Sequence, residues 1–323
     1  MQNEKKIIEF LNRPGATSGS ELGAELGVSR MAIQKRIQAL VEHGLPVSAV
    51  RGVGYVLEDD VNLLEVDVIT QNLGSAVRPL VGEIEVQQSI ESTNSHLLSK
   101  PIELGKATVC LAETQSKGRG RRGNDWQSAP YRNIMLSVSW GFDHWPATIT
   151  GLGLAVGLVV AEYLNLQYSA GVTIKWPNDL LVGNDKLGGI LVDVAGESSG
   201  SCNVVIGLGL NVHQSNWSAE SGYDWQDLAG LGVSVNRNTL AADLISVISA
   251  MLSQFSKDGF SVLTERWNAL SSYADKKIRI IGPESDIVGV MRGVDETGAL
   301  LIEVNGSIER IDDSSRSVRL VDL

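Results

Sequence analysis

Apolar residues along the chain change their spacing twice, and the changes divide it into three units. In the first unit the period is helical. Ile7, Ile8, Phe10 and Leu11 mark one face of a short helix over residues 4–11, which stops at Pro14-Gly15. Ser20 is placed to cap a second helix carrying Leu22 and Leu26. Gly27 breaks it, and Ser29 caps a third carrying Ile33, Ile37, Leu40 and Val41. Two short helices across a tight turn form a helix-turn-helix signature. The strand-like pieces LPVSAV and GYVLED around Arg51-Gly52 have the size of a wing. From about residue 63, period-two and fully apolar runs take over: EIEVQQ (83–88), ATVCLAE (107–113), NIMLSVSW (133–140), VTIKW (172–176), LGGILVDVA (187–195) and NVVIGLGLNV (203–212). Helical runs at 146–164 and 238–256 interrupt them. The second of these aligns Leu240, Leu244, Val247, Ile248, Met251, Leu252 and Phe255 as a core stripe. Strands with few helices predict an α+β unit built on a mixed sheet rather than repeated βαβ units. Past about residue 271, five short runs (277–282, 287–294, 299–304, 307–311 and 317–322), parted by Gly282-Pro283 and Glu296-Thr297-Gly298, predict a small SH3-like β-barrel. The predicted units are 1–62, 63–270 and 271–323.

Composition sharpens the picture in a few places. The 323 residues carry a formal net charge of −11, which argues against bulk attraction to nucleic acid or anionic membranes. Residues 1–57 differ, with seven bases against five acids. Off its apolar stripe the third helix offers Arg30, Gln34, Lys35 and Gln38, residue types that suit base edges and phosphates. Ser29, Arg30, Gln34, Lys35 and Arg51 are therefore the candidate DNA-binding residues, and a dimer on a palindrome is the expected use of a single winged module. A helical interaction module that never touches DNA is the alternative. Cys110 and Cys202 sit apart in apolar runs and are expected as buried free thiols of a cytoplasmic protein. The N-terminus lacks a signal-peptide core, and the longest apolar run (151–164) is too short to span a bilayer. His43, His96, His144 and His213 have no ligand spacing, so no metal site is expected.

Candidate chemistry starts at KGRGRRG (117–123), which contains a literal G-x-G-x-x-G in Gly118, Gly120 and Gly123. A dinucleotide fingerprint must open a helix so that the helix N-terminus faces the pyrophosphate. Here NDWQSAPYR and another strand follow, so that reading fails. An RGG-type nucleic-acid patch is disfavoured between core strands of an acidic chain. What remains is a Gly-rich loop with three guanidiniums, which grip carboxylates and phosphates in bidentate fashion. Trp126 lies just beyond and offers a stacking face. A solvated basic loop is the bland alternative. Three more motifs weigh against it. KWPNDL (175–180) sets Lys175, Asn178 and Asp179 around a proline at a strand end. KLGGILVD (186–193) opens a strand with Lys186 and places Gly188 and Gly189 for close approach. ESTN (91–94) sets Ser92, Thr93 and Asn94 between a strand and a helix, as a cap or as polar groups for a neutral ligand.

Taken together, ESTN, ETQ-x-x-GRGRRG-x-x-W, KWPND, KLGGIL and GLGLN (207–211), in this order, resemble biotin–protein ligases. With the winged module in front, the whole chain resembles the bifunctional ligases that also repress biotin operons. The resemblance implies a multidomain α+β protein: a winged helix-turn-helix, a biotin/lipoate-ligase-like catalytic domain and an SH3-like barrel. It also implies activation of biotin with ATP and Mg²⁺ to biotinyl-5′-AMP, then transfer to a lysine of a biotin carboxyl carrier protein. Mg²⁺ would arrive with ATP. By motif match Ser92, Thr93, Asn94, Gln115, Gly118, Arg119, Gly120, Arg121, Lys186 and Gly189 should hold biotin. Lys186, Arg119 and Arg121 are expected at the reacting groups. Arg122, Trp126, Asn178, Asp179, Asn211 and Arg319 should serve the nucleotide, with Arg316 as a rival to Arg319. The family analogy makes biotinyl-5′-AMP the corepressor of a homodimer on operator DNA, without a membrane. Two other readings stand at this point: a non-catalytic biotin-sensing transcription factor, and a ligase for a related acid such as lipoate.

Overall fold

The computed structural model describes residues 2–42, 44–58, 61–145, 149–196, 200–214, 224–282, 285–313 and 315–321. His43, the last residue of the second wing piece, the first three positions of the helix expected over 146–164, Pro283 and Asp322 lie outside them.

At the N-terminus, helices α1 (Gln2–Leu11), α2 (Gly19–Leu26) and α3 (Arg30–Glu42) precede a hairpin of β1 (Val47–Val50) and β2 (Gly54–Leu57). Ile7, Ile8, Leu22 and Ile33 are fully buried and form the centre of this core. The cap of α2 is Ser18 rather than Ser20. Its Oγ accepts the Glu21 N–H at 3.0 Å, because a capping residue must hold extended backbone ahead of the first turn and Ser20 already lies within it. Gly27 closes α2 in the left-handed conformation, and Ser29 Oγ caps α3 through the Ala32 N–H at 3.2 Å.

Next come α4 (Val66–Asn72), β3 (Val81–Gln87), α5 (Thr93–Leu98), β4 (Ala107–Ala112), β5 (Ile134–Phe142), α6 (Ile149–Tyr168), β6 (Val172–Lys175), β7 (Asp179–Val182), β8 (Asp185–Gly196), β9 (Cys202–Leu210), α7 (Arg237–Asp258) and α8 (Thr264–Ala269). The seven strands form one sheet in the order β3-β4-β5-β9-β8-β7-β6. Its β3/β4 pair is parallel and its other described pairs are antiparallel, so the sheet is mixed. Alternation across the pleat divides β4: Val109 and Leu111 join the main core, whereas Cys110 joins Leu97 of α5 on the other face. With both faces covered, every residue of β5 is buried. Helix α7 is long and apolar enough to cross a membrane, but its stripe from Leu240 to Phe255 is packed into the core. Strand β7 was not visible in the sequence, because Pro177 and two polar residues mask its start.

Strands β10 (Lys277–Ile281), β11 (Ile287–Val294), β12 (Leu300–Val304), β13 (Ser307–Ile311) and β14 (Ser317–Leu320) form an antiparallel sheet ordered β13-β12-β11-β10-β14. Met291, Ile302 and Val318 carry it into the main core, and Trp176 Nε1 donates to the Gly298 carbonyl at 3.0 Å.

The segment joining the wing to α4 is held from both sides. Asn12, at the end of α1, bonds both the N–H and the carbonyl of Val61. On the other side Arg237 Nη1 donates to the Asn62 carbonyl at 2.8 Å, Asn238 Nδ2 to the Leu63 carbonyl at 2.8 Å, and Asn238 Oδ1 accepts the Glu65 N–H at 2.7 Å. Glu113 Oε1 accepts the Leu64 N–H at 2.7 Å, while its Oε2 accepts from Arg237 Nη2 at 2.8 Å. Arg237 also reaches the carbonyls of Tyr131 and Asn133.

Candidate active site

One cleft of about 640 Å³ lies over the sheet, within the range of small-molecule sites. Its lining comes from the start of α5, the arginine-rich loop with Trp126, the β6–β7 turn with the start of β8, strands β5, β9 and β14, and residues 224–225. Of the residues expected to hold ligands, Ser92, Thr93, Asn94, Gln115, Arg119, Gly120, Arg121, Arg122, Trp126, Asn178, Asp179, Lys186, Gly189, Asn211 and Arg319 all line this cleft. Gly118 does not. A side chain there would run into the Trp126 carbonyl, so Gly118 serves the packing of the loop on itself. Arg316 lines the cleft together with Arg319. The DNA-binding candidates Ser29, Arg30, Gln34, Lys35 and Arg51 lie apart from it and are exposed.

The neutral polar end of the cleft is set by α5. Ser92 Oγ caps that helix, and the Thr93 N–H donates to Gln115 Oε1 at 2.8 Å. Ser137 Oγ, projecting from β5, lies 2.7 Å from Thr93 Oγ1 and 2.5 Å from Asn94 Oδ1. Asn94 Nδ2 and Arg119 Nη2 both donate to Asp193 Oδ2, at 2.9 and 2.7 Å. The floor is made by glycines of β9. A Cβ on Gly207 would collide with the Asn94 amide, and one on Gly209 with the Trp126 ring, so glycine is required there for close approach. We expect Gly209→Ala to push the indole off the floor at a cost of about 1–3 kcal/mol, the usual range for overpacking. Thermal denaturation should then show a lowered midpoint, and an unchanged one would mean that the floor accepts the extra methyl without cost.

The other end is cationic. Lys186 Nζ lies 2.6 Å from Asp179 Oδ1 and 5.6 Å from the centre of the Trp126 ring. Lys175 Nζ lies 3.6 Å from Asp179 Oδ2. Burial alone would raise the Asp179 carboxyl, yet Lys186 and Lys175 together hold it below the ordinary carboxylate range. Burial lowers Lys175 and, with Arg122 beside it, Arg121. Arg121 Nη1 donates to Asn178 Oδ1 at 2.9 Å, and Asn178 Nδ2 donates to the Ile190 carbonyl at 2.9 Å. Residues 224–226 run beside Lys186, so Trp225 also lines the cleft. Four buried atoms of cleft residues, Arg121 Nη2, Trp126 Nε1, Arg316 Nε and Asn211 Oδ1, have no hydrogen-bond partner. Three donors and one acceptor left unsatisfied in one cleft fit a polar ligand that completes them. The cleft thus joins neutral polar groups at the start of α5 to a cationic cluster of Lys175, Lys186 and Arg121, an arrangement that can hold the polar and the anionic parts of a ligand.

Lys175 was singled out in its motif without a role, and Ser137, Asp193, Trp225 and Tyr273 were not among the expected site residues. Lys175 and Asp193 belong to quoted motifs, and Ser137 is a hydroxyl inside an otherwise apolar strand, which was an available signal. Trp225 and Tyr273 carried none.

Comparison with known proteins adds independent findings. The biotin/lipoate A/B protein ligase family model matches residues 86–211, and a helix-turn-helix domain model matches residues 3–56. The chain is 39% identical over 304 residues to the bifunctional ligase/repressor BirA of Salmonella typhimurium, covering 94% of this chain and 93% of that protein. It is 37% identical over 305 residues to BirA of Escherichia coli, with the same coverage of 94% and 93%. Among solved structures, the biotin protein ligase from Aquifex aeolicus in complex with biotin and ATP superposes with a TM-score of 0.64 at 24% identity, covering 74% of this chain and 99% of that one. That likeness speaks to the fold.

Proposed function

Because the chain belongs to the family of bifunctional ligase/repressors, we infer that it is a biotin–protein ligase and a biotin-responsive repressor. It joins biotin to ATP and passes the biotinyl group to a carrier-protein lysine. In the first step a biotin carboxylate oxygen attacks the α-phosphorus of ATP and pyrophosphate leaves. In the second the carrier lysine amine attacks the acyl carbon and AMP leaves. The observation that carries this reading is one cleft lined both by the neutral polar groups of Thr93, Asn94 and Gln115 and by the cations of Lys186, Arg121, Arg316 and Arg319.

Both reactants of the first step are anions, so fixed cations must offset their repulsion and the charge gathering at phosphorus. Lys186 and Arg121 are placed to do so. Arg119, held by Asp193, brings the loop over the acyl end, and Trp126 gives adenine an apolar wall. The mixed anhydride is water-sensitive, which gives the loop a second duty as cover. Mg²⁺ is expected to enter on the phosphates of ATP, retaining most of its waters. Domain limits of 1–62, 63–270 and 271–323 belong to the same proposal, as does cytoplasmic residence.

For the repressor half, biotinyl-5′-AMP is the corepressor and a homodimer carries two winged modules to operator DNA. Among the described residues β7 pairs with β8 only as far as Gly189, so residues 192–196 present an outer edge suited to pairing with a second copy. The test incubates the protein with ATP and either labelled biotin or labelled lipoate, together with a biotin carboxyl carrier domain. Label on the carrier lysine from biotin alone supports the assignment. Transfer of lipoate, or no transfer, overturns it.

A further inference from the structure

We propose that Met31 is a specificity-determining residue of the DNA-binding module and that it reads the C5-methyl group of a thymine in the major groove. This rests on the repressor reading and adds to it a base and a chemical contact. Helix α3 buries Ile33, Ile37 and Leu40 and turns Met31, Gln34, Lys35 and Gln38 outward. Met31 is 80% exposed, far beyond the other large apolar residues of the N-terminal unit, of which Val53 in the wing comes next at 54%. Its neighbours are committed elsewhere. Ser29 Oγ is spent on the cap, and the stem of Arg30 folds back over Gly19 at the start of α2. Gln38 Nε2 donates to Glu42 Oε1 at 3.2 Å. The outermost groups on the first two turns of α3 are thus Met31, Gln34 and Lys35.

Basic Arg30, Lys35 and Arg51 set this face toward a polyanion, and a recognition helix meets the groove with its N-terminal residues. The floor of the major groove presents one apolar group, the thymine methyl. A thioether, unbranched and polarisable, adapts to such a contact. Gln34 has the fork that suits adenine. A helix rises about 1.5 Å per residue, so three residues cover about one base-pair step of roughly 3.4 Å along the duplex. The thymine therefore lies within one or two base pairs of the base that Gln34 reads.

The experiment selects duplexes from a randomised pool with the full-length protein, biotin and ATP. Each thymine of the selected half-site is then replaced by uracil, which deletes the methyl and leaves the hydrogen-bonding edge intact. The parent should lose about fourfold in affinity per half-site at one thymine, the worth of one buried methyl. Met31→Ala should bind the thymine and uracil duplexes equally, and Met31→Leu should keep the parent's preference. The exposed position makes both variants safe to fold. A selected duplex in which no uracil matters to the parent, or in which the preference survives in Met31→Ala, overturns the proposal and leaves DNA binding standing. Failure to select any duplex overturns the repressor reading and this contact with it.

Discussion

Replacing Lys186 with alanine should slow formation of biotinyl-5′-AMP by about 10²–10³-fold, the cost of removing one fixed group that stabilises developing charge. The ammonium sits 2.6 Å from Asp179, and the Asp179 carboxylate is shared with Lys175. Deleting Lys186 therefore removes the nearest cation and leaves Asp179 with the more distant Lys175 and Arg121, turning a neutralised corner of the cleft more negative just where anions must meet. Biotin should still bind within a few-fold, since Thr93, Asn94 and Gln115 make their own network. Single-turnover release of pyrophosphate measures the chemical step, and isothermal titration with biotin alone measures the rest. An unchanged single-turnover rate would remove Lys186 from the reacting centre. Lysine to arginine should not restore full rate, because a planar fork does not reproduce a compact point charge.

Arg237→Ala should cost about 3–5 kcal/mol of stability, as breaking a buried ion pair does when one charge is left behind. Both partners are almost wholly buried, Arg237 at 3% and Glu113 at 1% exposure. The usual rescue, replacing both charges by apolar residues, should fail here. Arg237 also satisfies the carbonyls of Asn62, Tyr131 and Asn133, and Glu113 satisfies the Leu64 N–H. Each backbone group orphaned in the interior costs about 1–3 kcal/mol. Urea denaturation of Arg237→Ala, Glu113→Leu and the Arg237→Met/Glu113→Leu pair distinguishes the cases. A double variant as stable as the parent would mean that the pair acts as charges alone and not as a backbone clamp.

Much of the fold was legible because the relevant signals are local. The six runs read as strands of the central sheet are strands, and the helical stripe at 238–256 is α7, since period and burial go together. Ser18 and β7 escaped. Two serines two residues apart compete for one cap, and only the backbone decides between them. In β7, Asp179 opens a strand whose preceding turn contains Pro177 and Asn178, residue types that read as loop. The cleft was legible for a different reason: its motifs set charges and glycines into apolar strands, where they have no structural excuse. Arg237 and Asn238 had one. At the start of a helix they read as ordinary first-turn polar residues, and their partners Glu113 and Glu65 lie 124 and 173 positions away.

That same junction bears on how the proposed homodimer would measure DNA. Val61, Asn62, Leu63, Leu64 and Glu65 each have backbone groups engaged by side chains of one unit or the other. These bonds tie residues 61–65 to both units, and in the proposed homodimer a pair of winged modules would work as a caliper whose jaws are set by the paired catalytic units. Each base pair inserted between half-sites rotates one of them by roughly 35° about the duplex axis and displaces it along that axis. A caliper held at that joint would not follow, so in the proposed homodimer the helical phase of the operator would become part of what is recognised.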